Sequence, residues 1–414
     1  MMNLTAANSP KCKILYLVTG FPPDVSGVSL FNWERCTCLA KRAKFEVVVL
    51  APDWQLNSGE RPYPDTIPPL MQIDTYPSQP WLPYPVTHVP CFHALSVIND
   101  KIAMHQPDIV VITDVERLFL LSTWQLPGVK YAKANKVLFI AEYHTDLYNF
   151  SASYSGWQWI RFMAKFTRLS NRLYKYFDIT LCSTVAAQKS CIDQGISNSR
   201  VLPYLGIDTS TYGPQHRNRE CLLQWLSPHE REFTIFVYVG RIAHEKRVDY
   251  LIDAYSKLKH NFTNCSLMII GDGPKDIMAH LHKMSSNTKD IHFTGYLFGS
   301  QKAQVMASCD VFCSPSPYET FGRTLVEAMA SGLPVISVDS GAASEHIRSG
   351  ENGYLVSPDD VSELVAAMER SINNTPVTIT SLAIQQSQKF SLENSCAHLE
   401  EFYSEQLAER NSPQ

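Results

Sequence analysis

Short apolar runs, each closed by Gly, Pro or a polar turn, alternate along this chain with stretches of helical period. The run Lys13-Ile-Leu-Tyr-Leu-Val-Thr19 stops at Gly20-Phe-Pro-Pro23, the pattern of a buried parallel strand meeting a loop. That loop continues through Asp24-Val-Ser-Gly27-Val-Ser, a helical pattern follows from Leu30 to about Arg42, and Phe45–Ala51 reads as a second strand. Strand, helix and strand in this order predict a βαβ unit, hence a parallel sheet with covered faces. Residues 52–92 are rich in Pro and aromatics and predict irregular connections around weak strands. The rhythm then resumes. A helix is expected near 94–105, strands at 108–113 and 136–141, a long helix over about 156–176, a strand at 178–183, a helix near 185–194 and a strand around Val201.

From Gly206 to about Pro228 the composition turns polar and is broken by Gly213-Pro214, as in an inter-domain connection. A second series of strands follows at 233–239, 266–270, 292–293, 311–313 and 334–337, with helices between them. Both halves share one rhythm. The economical architecture is therefore α/β, with two doubly wound, Rossmann-like parallel-sheet domains facing each other across a cleft. Residues 1–205 form the first domain in this reading, 206–388 the second, and 389–414 a terminal helical segment that crosses back to the first. Ligands of such sheets gather beyond the carboxyl ends of the strands.

Bulk properties narrow the function. The 414 residues are 45% hydrophobic and 18% charged, with a formal net charge of -4, which suits a folded protein and argues against a nucleic-acid-coating surface. Eleven cysteines are scattered without a Cys-x-x-Cys pair or zinc spacing, so reduced, structural thiols in a cytosolic protein are expected. Cys309 and Cys313 are expected on opposite sides of one strand. No apolar run approaches the ~20 residues that cross a bilayer.

The most informative stretch is Ser316-Pro-Tyr-Glu319-Thr320-Phe321-Gly322-Arg323-Thr324-Leu-Val-Glu327-Ala-Met-Ala-Ser-Gly332. It reads loop, helix and glycine stop. A helix start near Phe321 or Gly322 offers unpaired backbone N–H groups to an anion, and two carboxylates two turns apart suit pairs of sugar hydroxyls. The bland alternative is a capping Glu and a solvated helix Glu, but Ala328-Met-Ala330 after Glu327 suits close packing instead. A second element, Gly240-Arg241-Ile-Ala-His-Glu245-Lys246, ends a strand with two cations in the following loop. A guanidinium and an ammonium there can stabilise a departing diphosphate, although loop cations are usually just solvated. A third, Gly271-Asp-Gly273-Pro, is a tight turn after a strand. It lacks the third glycine and the acidic partner of a dinucleotide fingerprint.

Together these residues resemble the large retaining glycosyltransferase family numbered four, of GT-B fold, over nearly the whole chain and most strongly from Thr234 to Val356. The resemblance implies that Glu319 touches the donor sugar and Glu327 the ribose. The helix-start amides of Phe321, Gly322 and Arg323, flanked by Thr320 and Thr324, would meet sugar and phosphate. Arg241 and Lys246 would hold the diphosphate, with Gly240 and Gly271 in the adjoining turns. Gly295-Tyr296 would frame the base. Gly20–Ser29 resembles the family's glycine loop, giving Gly27 and Val28 to the site, with Ser26 where many members carry glycine. Glu142-Tyr-His144-Thr-Asp146 follows a buried strand. A lone His is more often a core or surface residue, but the family's His-Thr-Asp triplet places His144 beside the transferred sugar, with Asp146 and Tyr148 on the acceptor side. The implied chemistry is same-face displacement, in which positioning and electrostatics dominate. With no Asp-x-Asp triplet in the chain, no metal ion and no cofactor are expected.

Arg161, Lys165, Arg168, Arg172 and Lys175 recur at helical spacing among aromatics. Two readings stand: an interfacial helix drawn to anionic lipid, or a solvated face. The first would station a cytoplasmic enzyme on the inner face of a membrane. The expected activity is transfer of a hexose from a nucleoside-diphosphate sugar, UDP-sugar ahead of GDP-mannose, to a lipid or glycan acceptor. The competing readings are another GT-B activity, epimerase-like, and an inactive sugar-nucleotide-binding module.

Overall fold

The computed structural model describes residues 12–24, 26–54, 63, 66–81, 84–113, 115, 116, 118, 125–144, 169–373 and 377–412. The first half runs β1 (Lys13–Leu17), α1 (Gly27–Arg42), β2 (Glu46–Pro52), β3 (Met71–Tyr76), β4 (Ser78–Trp81), β5 (Tyr84–Pro90), α2 (Ala94–His105), β6 (Ile109–Ile112), α3 (Val129–Asn135), β7 (Leu138–Tyr143), β8 (Ile179–Cys182), α4 (Val185–Asp193) and β9 (Ser199–Val201). The second comprises β10 (Thr234–Val239), α5 (Val248–Lys259), β11 (Cys265–Ile270), α6 (Lys275–Ser285), β12 (Ile291–Gly295), α7 (Gly299–Ser308), β13 (Val311–Ser314), α8 (Arg323–Ala330), β14 (Val335–Val338), α9 (Ala343–His346), β15 (Tyr354–Val356), α10 (Val361–Asn373) and α11 (Val377–Gln388). Helix α12 (Leu392–Asn411) follows.

Two parallel sheets result, ordered β3-β2-β1-β6-β7-β8-β9 and β12-β11-β10-β13-β14-β15. The connection order reverses between β1 and β6 in the first and between β10 and β13 in the second, and such switch points open a crevice at the strands' carboxyl ends. The loops after β1, β10 and β13 are the glycine loop, the Arg241–Lys246 loop and the Glu319 loop. Each sheet buries both faces. Ile14 and Tyr16 of β1 join one apolar cluster while Leu15 and Leu17 join another, the period-two alternation of a doubly covered strand.

The cluster that holds Ile14 also holds Ile235 and Val237 of β10, Tyr204, Ile207 and Tyr212 of the connection, and Leu399, Phe402 and Tyr403 of α12. The two chain crossings between domains lie side by side: Ile207 N donates to Phe390 O at 3.0 Å and Leu392 N to Ile207 O at 2.8 Å. Beyond the crossing, α12 lies on the first domain. Tyr403 shares a 2.9 Å hydrogen bond with Tyr16, and Arg42 pairs with Glu400 at 2.9 Å.

Several elements depart from the sequence expectation. Helix α1 begins at Gly27 instead of Leu30, because Ser26 caps it by accepting from Ser29 N. Residues 52–92 contain β3, in full parallel register with β2, and the β4–β5 hairpin. Tertiary pairing supplies order there that local pattern does not show. Strand β7 ends at Tyr143, so Glu142 belongs to the sheet and does not follow it. Cys313 lies inside β13, not beyond it. Of the expected helix over 156–176, residues up to 168 lie outside the described residues, and Arg172–Tyr176 is a 3₁₀ turn.

Candidate active-site cleft

In the second domain the cation loop is fixed by glycine packing. Gly271 adopts φ +147°, and a Cβ there would stand 1.9 Å from Gly240 O, so only glycine permits this approach. Gly273 meets Ile242 O in the same way, and Ile242 N donates to Asp272 O at 2.9 Å. The Gly-Asp-Gly turn therefore props the Gly240–Lys246 loop from beneath. In that loop Arg241 pairs with Glu245 at 2.6 Å, and Lys246 Nζ donates to Glu319 Oε1 at 2.6 Å. The two cations and the first carboxylate thus converge, and each retains exposed surface.

Gly322 caps α8 in the left-handed conformation (φ 72°, ψ 51°), and no side chain caps this end. The α8 start therefore presents its backbone dipole directly after Glu319-Thr-Phe. Phe321 is buried; its carbonyl accepts a 2.8 Å hydrogen bond from His346 Nε2, and Ala342 N donates to Glu319 O at 2.9 Å. Thr324 is half-buried in the first turn.

Glu327 is the more enclosed of the two carboxylates. Its side chain has no exposed surface, with Lys302 Nζ on Oε2 at 2.9 Å and Arg323 Nε on Oε1 at 3.0 Å. Burial would raise its pKa, but Lys302 and Arg323 hold it below the usual carboxylate value. In this arrangement the carboxylate implied to grip a ribose is turned to two cations of its own domain. Arg323 likewise does more than offer an amide. Its guanidinium reaches Glu34 of α1 at 2.8 Å and joins the domains.

On the first-domain side, Gly27 is exposed and Val28 half-buried at the start of α1. His144 directly follows β7. Its Nε2 lies 3.0 Å from Glu142 Oε2, and its carbonyl accepts from Thr320 Oγ1 at 2.8 Å. Thr184 Oγ1 donates to Thr320 O at 3.1 Å, while Glu345 accepts from Val185 N and Ala186 N at the start of α4. The residue after Glu319 is thus held directly against His144 of the facing domain.

Gly295 has φ +72°, and the ring of Tyr296, half-exposed, stacks on Phe298 at 5.9 Å while its hydroxyl donates to Asp272 O. Asp146, Tyr148, Arg161, Lys165 and Arg168 lie outside the described residues. Arg172 and Lys175 are exposed and, three apart in a 3₁₀ turn, share a face. No described helix is long and apolar enough to cross a membrane. Among the described residues, one group has metal-ligand proximity, His229, Glu230 and Asp290. It sits before β10 and β12, at the sheet edge opposite the cleft. There Ser266, His292 and Ser227 N engage Glu230, and Lys259 engages Asp290.

Glu34, Arg35, Lys302, Ser183, Thr184 and Glu345 escaped the sequence reading. Only the Ser183-Thr184 cap signal before α4 was visible locally, because each of the other contacts depends on a partner distant in the chain.

Two facing parallel sheets whose switch-point loops bring cations and a carboxylate to one cleft define the GT-B class. Solved structures share this fold. HepE of Anabaena, in complex with UDP and glucose, superposes with TM-score 0.70 at 20% identity, over 95% of this chain and 100% of that one. Sucrose-phosphate synthase from Thermosynechococcus elongatus gives 0.76 at 17% identity, over 96% and 100%. Residues 234–374 match the model of the Glycosyl transferases group 1 family. The GDP-mannose-dependent alpha-mannosyltransferase of Mycobacterium tuberculosis (strain CDC 1551 / Oshkosh) is 29% identical over 382 residues, 86% of this chain and 89% of that protein. The sulfoquinovosyl transferase SQD2 of Arabidopsis thaliana is 30% identical over 316 residues, 73% of this chain; the chain spans 58% of that protein's length. The chain thus has the GT-B fold, and the region that matches the group 1 glycosyltransferases, residues 234–374, is the second domain of that fold.

Proposed function

We propose that the chain is a retaining enzyme that transfers a hexose from a nucleoside-diphosphate sugar to a lipid or glycan acceptor. The observation that carries this reading is the direct hydrogen bond between Thr320 and His144, which sets the Glu319–Lys246 pair of one domain against the histidine of the other. In this reading Arg241 and Lys246 take up the diphosphate's developing charge, the α8 start faces the phosphate, and Glu319 exchanges Lys246 for hydroxyls of the transferred sugar. Glu327 reaches the ribose only when Lys302 or Arg323 yields to it. The departing phosphate oxygen takes the acceptor's proton on the face the sugar leaves, so configuration is kept without an enzyme nucleophile.

The mycobacterial mannosyltransferase that matches most of this chain bears the name GDP-mannose-dependent. This moves GDP-mannose ahead of UDP-sugars as the donor to test first. The two cations do the charge work without a metal ion; activity abolished by chelator and restored by magnesium would contradict that. Arg172 and Lys175, with the basic residues before them, serve a lipid acceptor at an anionic surface. Purified protein should release GDP from GDP-mannose, or UDP from UDP-glucose, in an acceptor-dependent way. The glycosidic product should keep the donor's anomeric configuration by NMR, and an inverted product would reject the mechanism.

A further inference from the structure

His144 is held by more of the molecule than a surface histidine needs. Its Nε2 faces Glu142 Oε2 at 3.0 Å, and Glu142 is in turn bonded to Arg35; neither Arg35 nor Glu142 has any exposed side-chain surface. Arg35 continues the chain by donating to Asn32 Oδ1 at 2.9 Å, and Asn32 Nδ2 donates to Gly20 O at 2.8 Å, the residue that opens the glycine loop. The guanidinium lies over the Tyr16 and Phe31 rings at 4.3 and 4.7 Å. Phe31 and Tyr204 flank the imidazole at 6.0 and 5.7 Å.

A buried Arg–Glu pair of this kind is often no more stable than apolar residues of the same volume. Its value here lies in what it orients. We propose that Glu142, locked by Arg35, is a positioning residue that fixes the proton of His144 on Nε2 and leaves Nδ1 as the acceptor for a hydroxyl of the transferred sugar. This rests on reading the cleft as a glycosyl-transfer site.

Burial raises the pKa of Glu142, but Arg35 and the hydrogen bond with His144 outweigh it and hold the group below its ordinary value. As a carboxylate, Glu142 only accepts. The facing Nε2 must therefore carry hydrogen, and in the neutral ring the other nitrogen offers a lone pair. A lone pair takes a hydroxyl and disfavours an anionic or hydrogen-free substituent at the same place, so the device selects sugars as well as orienting them. The backbone of His144 is fixed from the other domain by Thr320. Ring direction and ring position are thereby set by different halves of the protein.

The test has two arms. In ¹⁵N-histidine-labelled wild-type protein, with His144→Gln used to assign the signal, the neutral His144 ring should show its proton on Nε2; a proton on Nδ1 overturns the proposal. This arm needs no variant of the buried pair. In the second arm Glu142→Gln is assayed with GDP-mannose, UDP-glucose and their monodeoxy analogues. Turnover should fall on the order of a hundredfold, as for a displaced group. The penalty for deleting one sugar hydroxyl, present in wild type, should largely vanish in the variant. Wild-type turnover with an unchanged deoxy penalty would overturn the proposal. Should the wild-type chain turn over neither donor, the transfer reading fails, while the spectrum still decides the tautomer.

Discussion

Arg35 and Glu142 in the first domain have no exposed side-chain surface, whereas Lys246 and Glu319 in the second keep 21% and 20% of theirs. Both are cation–carboxylate pairs beside the same cleft, separated by the Thr320–His144 contact. The shielded pair exposes no side-chain surface at which solvent could replace either partner, so it behaves as fixed scaffold. The half-open pair lies where ligand oxygens and hydroxyls can take over each partner's role. Rigidity on one side and exchangeable charge on the other is what an enzyme needs when it must hold geometry constant while a diphosphate departs. The Arg323–Glu327–Lys302 group lies between these extremes: its carboxylate is buried like Glu142, yet Arg323 reaches out to Glu34 of the facing domain.

This contrast can be broken in stages. The largest stability effect belongs to Arg35→Met, which strips the buried Glu142 carboxylate of its guanidinium partner. It should cost about 3–5 kcal/mol in urea unfolding, and a loss below ~1 kcal/mol would show the pair is not scaffold. Lys246→Ala should do the opposite, changing unfolding stability by less than ~1 kcal/mol while cutting turnover about 10²–10³-fold. Matching losses of stability and activity would erase the distinction between the pairs. Gly271→Ala drives a Cβ into Gly240 O and should cost about 1–3 kcal/mol in the backbone, weakening donor binding along with the propped cation loop. An unchanged donor KM would separate that loop from the site.

The smallest expected effect is a pH dependence at His346. Burial lowers its pKa below the ordinary 6.5, so the unfolded chain binds the proton first. Its influence is absent above about pH 6.5 and appears as a loss of stability when pH falls from there toward the depressed folded value. His346→Gln can still donate to Phe321 O, and it should flatten that slope in urea titrations at stepped pH.

The second domain was the more legible half. Its strands are continuous apolar runs, and Gly240, Arg241, Lys246, Glu319 and Gly322 lie in loops whose order along the chain matches their convergence at one switch point. The first domain hid more. Strand β3 depends on register with β2, and Glu142 sits in a strand where alternation predicts only burial, so its bond to Arg35 has no local signature. Glu327 shows the limit from the other side: its spacing from Glu319 was visible, but Lys302 and Arg323, which cover it, are placed by α7 and by contact with Glu34. Asp146, Tyr148 and most of the basic stripe lie outside the described residues.

The central claim is that the donor's diphosphate lies between the domains, on Arg241 and Lys246, with the sugar between Glu319 and His144. A crystal structure of the chain soaked with GDP-mannose or UDP-glucose tests it most directly. The account predicts phosphate oxygens within hydrogen-bond distance of both cations and a sugar hydroxyl on Glu319 in place of Lys246. A nucleotide sugar bound away from that cleft, or bound there with Lys246 still on Glu319 and no contact to Arg241, would contradict it.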